Sequence, residues 1–106
     1  MNQPFSVLGL AYRAGKAVSG DQAVLNAIRR NEAKLVIVAE DASQGTLKKY
    51  RDKCTFYHIP MIQTGTSEQL GRSIGKINRV VIAVTDNGFA ELLRKSLQNI
   101  ERGDEY

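Results

Sequence analysis

Two uninterrupted apolar runs, at residues 35–39 and 80–84, constrain the fold of this chain more than any other feature. Both are rich in β-branched residues, which favour strands, and neither alternates with polar residues. A strand without a polar side is covered on both faces. The two runs therefore predict interior strands of a sheet that carries helices on each side.

A helix is predicted to begin at Gly20 and to lead directly into the first of these strands. At about 100° per residue, its polar side chains form a narrow wedge opposite a broad apolar side. The wedge comprises Gln22, Asn26, Arg29 and Arg30. The first turn of a helix has backbone N–H groups without intrahelical partners, which suit a phosphate or another anion. We therefore expect this end of the helix to contact nucleic acid.

The polar wedge has an alternative interpretation as an ordinary solvated helix face. Two features favour nucleic acid instead. The wedge contains amides, which donate and accept hydrogen bonds at base edges, whereas Lys/Glu pairs are commoner on an idle helix surface. Lys16, Lys34 and Arg79 add positive charge for phosphates if the fold brings their loops together.

The remaining segments alternate between helical and extended patterns. Residues 4–14 predict a largely buried helix ended by Gly15, and residues 16–19 predict an extended piece. After the first buried strand, Ser43 is predicted to cap a helix with an apolar stripe at Leu47, Tyr50, Cys54 and Tyr57. A strand at 61–63 and a short helix opened by a Thr66/Gln69 capping box follow. A loop at 76–79 precedes the second buried strand, and a last helix starts at Asp86 or Asn87. In the short helix, Gly71 and Gly75 predict the close approach of another backbone. This alternation is typical of an α/β fold.

Length and composition indicate one globular domain. The chain has 106 residues, of which 42% are hydrophobic and 25% charged, which is ordinary for a domain with one core. No apolar run is long enough to span a membrane, no secretory signal is recognisable, and Cys54 has no partner for an internal disulfide. We therefore expect a cytoplasmic protein. The net charge is +4, with the basic excess in residues 1–58, which is compatible with phosphate binding.

Candidate catalytic and metal-binding residues are few, and each has a stronger structural interpretation. Gly15 and Lys16 fail the pattern of a phosphate-binding loop, and no Cys/His cluster can hold a metal. His58 is expected in a loop, and Cys54 on the apolar stripe of its helix. The acidic pair at residues 40–41 suits a helix start or a turn. The sequence therefore predicts a chain that is not an enzyme and that has neither cofactor nor metal.

Several separated motifs occur in a definite order along the chain. They are GLAYRAGK at residues 9–16, Gly20 opening a helix, AKLVIVAED at 33–41, LGRSIG at 70–75 and RVVIAV at 79–84. Together they resemble the kink-turn RNA-binding superfamily of ribosomal proteins, in particular its small bacterial, ribosomal-like members of the YlxQ type. The resemblance covers nearly the whole chain. It implies a three-layer α-β-α sandwich around a mixed four-stranded sheet, and binding to a kink-turn, an RNA bend flanked by sheared G·A pairs.

The resemblance also implies which residues contact RNA, because an irregular RNA groove exposes base edges that a regular A-form helix hides. The glycine turn and helix start would enter that groove through Gly20, Asp21, Gln22, Ala23 and Asn26. A second loop, with Lys16 nearby on a phosphate, would cover the bulged nucleotides through Ile77, Asn78 and Arg79.

This chain departs from the family pattern at the glycine turn. Gln22 can replace the amide that recognises guanine, but Ala23 lacks the usual carboxylate or amide and Asn26 lacks the usual ammonium. Asp21 adds a negative charge where phosphates come close. Since one good base contact is worth roughly 1–3 kcal/mol, we expect the binding mode to be retained with weaker or altered affinity.

The sequence thus predicts a monomeric, cytoplasmic protein of one domain (residues 1–106) that binds a kink-turn or similar bend in a ribosomal or regulatory RNA. The ribosome is a further candidate partner, and no membrane contact is expected. The predicted RNA-binding residues are Lys16, Gly20, Asp21, Gln22, Asn26, Arg29, Lys34, Ile77, Asn78 and Arg79. One alternative is a protein-interaction module of the translation machinery with a degenerate RNA face. Another is a recognition domain of an RNA-modifying enzyme, although no cofactor motif supports it.

Overall fold

The computed structural model describes the backbone of residues 3–104 and the side chains of residues 4–97. Within this part of the chain, five helices alternate with four strands. In chain order they are α1 (Gln3–Arg13), β1 (Ala17–Ser19), α2 (Asp21–Arg29), β2 (Leu35–Val38), α3 (Gln44–Tyr57), β3 (Met61–Gln63), α4 (Ser67–Ser73), β4 (Val81–Val84) and α5 (Asn87–Asp104).

The four strands form one mixed sheet in the order β1-β4-β2-β3. β4 is antiparallel to both β1 and β2, with Val84 opposite Ala17 on one side and Leu35 on the other. β3 is parallel to β2. Every residue of β2 and β4 is buried, which confirms the predicted interior strands. The edge strands β1 and β3 are shorter and less buried.

The helices cover the sheet on both faces and form two separate cores. On one face, α1, α4 and α5 pack side chains such as Leu8, Leu70 and Leu93 against the sheet. On the other face, α2 and α3 contribute a second cluster that includes Ile28 and Tyr50. The predicted α/β class and three-layer α-β-α sandwich are therefore confirmed. The apolar side of α2 is buried as its periodicity predicts.

Local capping signals are also confirmed. The Ser43 side chain accepts a hydrogen bond from the Thr46 N–H at the start of α3. Thr66 and Gln69 form the reciprocal capping box of α4. The Asp86 side chain accepts a hydrogen bond from the Phe89 N–H at the start of α5.

Three local predictions are wrong. Leu10 is exposed, so α1 has a solvent-facing side where a largely buried helix was expected. Val80 is also exposed, and β4 begins one residue later than predicted, at Val81. Gly75 lies beyond the end of α4 with φ +77°, and no atom lies within 4 Å of the position of its absent Cβ, so it serves a turn rather than a backbone approach.

Candidate nucleic-acid interface

The glycine turn between β1 and α2 is fixed by its backbone. Gly20 has φ +93° and ψ 158°, a conformation that residues with a Cβ essentially do not adopt. Its N–H donates to the Val81 carbonyl oxygen at 3.1 Å, which ties the turn to the beginning of β4. No side chain caps the start of α2. The first N–H groups of α2 therefore keep the capacity to bind an anion.

The loop between α4 and β4 folds back onto α4. The Lys76 N–H donates to the Gly71 carbonyl oxygen at 2.8 Å, and the Arg79 N–H donates to the Ser67 carbonyl oxygen at 3.0 Å. A Cβ on Gly71 would lie 1.5 Å from the Ile77 carbonyl oxygen, so only glycine fits there. This confirms the predicted backbone approach at Gly71. The loop is held in place while the Ile77 side chain stays 83% exposed.

One hydrogen bond joins this loop to the glycine turn. The Arg79 Nε donates to the Ser19 hydroxyl oxygen at 3.2 Å, and its Nη1 donates to the Asn78 carbonyl oxygen at 2.9 Å. The two segments border a hollow of about 440 Å³, which we call the turn–loop hollow. Its lining includes Ser19, Gly20, Asp21, Asn78 and Arg79, with Thr46 and Lys49 from α3. The structure thus brings together two predicted segments that are far apart in sequence.

Asp21 is held by α3, a contact that the sequence analysis missed. Its carboxylate accepts hydrogen bonds from the Lys49 ammonium at 2.9 and 3.1 Å, and from the hydroxyl of the buried Tyr50. The Lys49 and Tyr50 bonds lower the pKa of Asp21 below its ordinary value, so it is ionised at neutral pH. Burial, and then Asp21 itself, raises the pKa of Tyr50, which keeps the phenol protonated. The expected negative charge at position 21 is therefore compensated by Lys49.

Gln22 and Asn26 remain on the outer side of α2. Gln22 is exposed and Asn26 is half-buried, one turn further along the helix. Both amides stand on the predicted polar wedge, and Gln22 is next to the residue that borders the turn–loop hollow. Gln22 itself does not line the hollow, and its exposed side chain lies on the solvent side of the helix start.

Three other predicted residues lie at the opposite end of the sheet. The Lys16 carbonyl oxygen accepts from Thr85, and the Lys34 N–H donates to Val84, both at the end of β4 remote from Arg79. Lys16 is three residues from Ser19, or about 10 Å along the strand. Arg29 ends α2, about 12 Å along the helix from Asp21. The expectation that Lys16 lies near residues 77–79 is therefore wrong, since the antiparallel β1–β4 pairing separates them.

The residues considered for catalysis have structural roles. His58 is exposed and ends α3 in the left-handed conformation, with φ +59°. Cys54 is buried, and burial raises the pKa of its thiol to about 11. The Asp41 carboxylate accepts from the Ser67 N–H at 2.9 Å and from its hydroxyl at 3.0 Å, at the start of α4. Among the described residues, no three His, Cys, Asp or Glu side chains could together hold a metal ion.

None of the described helices is both long and apolar enough to cross a membrane.

The three-layer fold, with a glycine turn and an exposed loop meeting over one hollow, defines a small α/β protein with an open surface site. The model of the ribosomal protein L7Ae/L30e/S12e/Gadd45 family matches residues 3–94, and the chain belongs to this family. The resemblance inferred from the sequence motifs is confirmed.

Several curated proteins are similar over most of their length. The RNA-binding protein YlxQ of Bacillus subtilis (strain 168) is 54% identical over 89 residues, covering 84% of this chain and 89% of that protein. The YlxQ protein of Enterococcus faecium is 38% identical, covering 88% and 89%. The large ribosomal subunit protein eL8 of Thermoplasma acidophilum is 31% identical, covering 82% and 73%. These relatives are RNA-binding and ribosomal proteins, and the chain is not an enzyme, as the sequence predicts.

Solved structures share the same architecture. A protein of unknown function from Bacillus halodurans C is 42% identical with a TM-score of 0.86, covering 90% of this chain and 96% of that chain. The Giardia lamblia 15.5kD RNA binding protein has a TM-score of 0.74 at 17% identity, covering 92% and 84%. The second likeness concerns the fold alone.

Proposed function

We propose that this chain binds RNA, and that it recognises a kink-turn or a similar internal bend through the turn–loop hollow. The observation that carries the proposal is the Arg79–Ser19 hydrogen bond, which holds an exposed loop against an uncapped helix start. A bent RNA presents bulged nucleotides and an opened groove side by side. Two neighbouring protein segments match that arrangement better than a single flat face does. The RNA-binding name of the 54% identical relative supports the RNA partner.

Each segment has a separate part in the proposed contact. The N–H groups at the start of α2 and the Arg79 guanidinium bind phosphates, and Gln22 reads base edges in the groove. The exposed Ile77 covers a bulged nucleotide with apolar surface, and Asn78 contributes its amide. Asp21 orders the helix start through Tyr50 and Lys49. Asn26 adds a weaker contact further along α2.

Lys16, Arg29 and Lys34 are left outside the contact with the bend. They lie at the other end of the sheet and of α2, so RNA held in the turn–loop hollow reaches them only if it extends along the protein. The proposed protein is monomeric, cytoplasmic and non-catalytic, and its RNA is ribosomal or regulatory. Association with the ribosome follows if that RNA is ribosomal.

A gel shift with three RNAs of equal length tests the proposal. They are a kink-turn duplex, the same duplex with its G·A pairs replaced by Watson–Crick pairs, and a plain duplex. We expect the kink-turn to bind at least about tenfold more tightly than either control, as one base contact supplies that factor. Equal binding to all three RNAs would contradict the proposal and show that the chain binds polyanions without specificity.

A protein-interaction module of the translation machinery is the second candidate function. Its specific support is the combination of an exposed apolar Ile77 with Ala23 at a position that usually carries a contacting side chain. The same gel shift separates the two candidates. Failure to bind any of the three RNAs at moderate salt would favour the protein partner.

A further inference from the structure

A second hollow lies on α3 beside the turn–loop hollow. It measures about 460 Å³ and is lined by Lys49, Asp52, Lys53, Phe56 and Tyr57. Lys49 lines both hollows, so the two depressions meet at this residue. The shared residue places the second hollow next to the turn–loop hollow.

Lys49, Lys53 and Phe56 form one ridge on α3, which we call the α3 ridge. Their spacing of four and three residues puts them on the same helix face, over about 10 Å of helix length. Phe56 is 75% exposed, the second most exposed of the large apolar side chains in the described part of the chain. Its ring lies 5.0 Å from that of Tyr57 at 78°, and Tyr57 packs against the core. Phe56 is thus an exposed aromatic group with an ordered neighbour.

The charge around this ridge is positive. α3 carries Lys48, Lys49, Arg51 and Lys53 but a single acid, Asp52, and Lys49 is paired with Asp21 of α2. The Asp52 carboxylate is occupied by Lys48 at 2.8 Å. Lys53 forms no ion pair with any described residue. An exposed phenylalanine flanked by lysines suits a polyanion with flat apolar groups better than it suits an apolar protein surface.

We propose that the α3 ridge binds unpaired nucleotides that continue from the RNA in the turn–loop hollow, with a base stacked on Phe56 and a phosphate held by Lys53. Stacking on an aromatic side chain accepts any base, so this contact adds affinity without sequence preference. The part of this proposal that places RNA in the neighbouring turn–loop hollow rests on the proposed function.

The test measures the gain in affinity that a short single-stranded oligouridine extension provides. Fluorescence anisotropy compares a kink-turn duplex with blunt ends, the same duplex with the extension at either the 5′ or the 3′ end, and a straight duplex with and without the extension. We expect one of the extended kink-turn RNAs to bind about tenfold more tightly than the blunt one, within the range of aromatic stacking on one base. Phe56→Ala removes this gain and leaves binding to the blunt kink-turn unchanged.

Two variants serve as controls. Lys53→Gln lowers the gain and its dependence on salt, because it removes one phosphate contact. Leu92→Ala truncates another exposed apolar side chain, on α5, and retains the full gain. Since Phe56 is exposed, thermal melts of Phe56→Ala are expected to match those of the wild-type protein.

The outcomes separate this inference from the proposed function. No gain from either extension, or a gain that survives Phe56→Ala, overturns the role of the α3 ridge. A preference for kinked over straight duplex in the same experiment would still leave the proposed function standing. Conversely, an extension gain on the straight duplex that Phe56→Ala removes, without any preference for the kink, would support the α3 ridge and reject the turn–loop assignment.

Discussion

The hydroxyl of Tyr50, whose side chain is fully buried, donates a hydrogen bond to the carboxylate of Asp21, so α3 fastens the first turn of α2 from inside the protein. Lys49 binds the same carboxylate from the solvent side. The helix start beside the glycine turn is therefore positioned by a helix, α3, that has no residue in the predicted RNA-binding set. The proposed RNA contact at this helix start therefore depends on the same bonds that stabilise the packing of α2 on α3.

Tyr50→Phe is expected to lower the free energy of unfolding by about 1 kcal/mol, because it removes a hydrogen bond to the Asp21 carboxylate. The loss is modest because this carboxylate keeps its ion pair with Lys49 and its contact with water. Urea denaturation measures the change. Tyr57→Phe is the matched control, since the Tyr57 hydroxyl forms no hydrogen bond with any described residue, and its effect should stay within about 0.5 kcal/mol. Equal losses for the two variants would contradict the role given to the Tyr50 hydroxyl.

Asp21→Asn is expected to tighten RNA binding, although it changes a residue of the predicted interface. The amide oxygen that replaces the carboxylate still accepts from the Tyr50 hydroxyl and keeps the helix start ordered, while Lys49 is released from its ion pair beside the turn–loop hollow. If Lys49 then contacts a phosphate, the slope of log affinity against log salt steepens by about 0.7–0.9. Glu91→Gln adds the same unit of charge by releasing Lys95 on α5, and should change the slope less. Weaker binding by Asp21→Asn would mean that the carboxylate itself orders the RNA contact.

Arg79→Ala should weaken binding to the kink-turn and reduce the salt slope by about 0.7–0.9, the effect of one lost phosphate contact. Lys34→Ala removes the same charge at the opposite end of the sheet and should leave both quantities unchanged. Filter-binding titrations at several salt concentrations give both numbers. If Lys34→Ala has the larger effect, the RNA lies at the other end of the molecule.

Gln22→Ala should reduce affinity for a kink-turn more than affinity for a plain duplex of equal length. The loss from one base contact is roughly 1–3 kcal/mol, whereas phosphate contacts are shared by both RNAs. Competition binding with the two RNAs gives the ratio directly. Equal losses on both RNAs would show that Gln22 reads no base.

Gly71→Ala should lower both stability and RNA affinity, because its Cβ would overlap the Ile77 carbonyl oxygen and push the loop away from α4. Overpacking of this kind typically costs about 1–3 kcal/mol. Gly45→Ala, on the exposed start of α3, meets only the Ser43 hydroxyl at 4.0 Å and should be neutral or slightly stabilising. Thermal melts and gel shifts of both variants make the comparison. A Gly71→Ala protein with wild-type stability would show that the loop moves freely.

The sequence predicts those parts of the fold that depend on local chemistry. The buried strands follow from β-branched runs, and the caps at Ser43, Thr66 and Asp86 follow from side chains that reach their own backbone. The juxtaposition of Gly20 with Arg79 was implied only by the family resemblance. Periodicity along one segment contains no information on which loop packs against which.

The positions that the sequence did not predict depend on how segments distant in sequence lie side by side in the fold. Lys49 lies outside the apolar stripe of α3 and looks like an ordinary surface lysine, yet it pairs with Asp21 at a separation of 28 residues. Lys16 is close to Gly20 in sequence, but the two residues lie at opposite ends of β1 and therefore of the sheet. Positive charge alone therefore predicts a contact with RNA without predicting its position.

The short edge strands of the sheet bear on how the protein behaves at high concentration. β1 and β3 have three residues each, and they flank two strands whose side chains are entirely apolar. A long exposed edge next to such strands would be a template for pairing with another copy, and then for fibre growth. Edges this short offer few free backbone groups to an incoming strand. Lengthening β3 at its exposed end would therefore be a way to promote aggregation without changing the core.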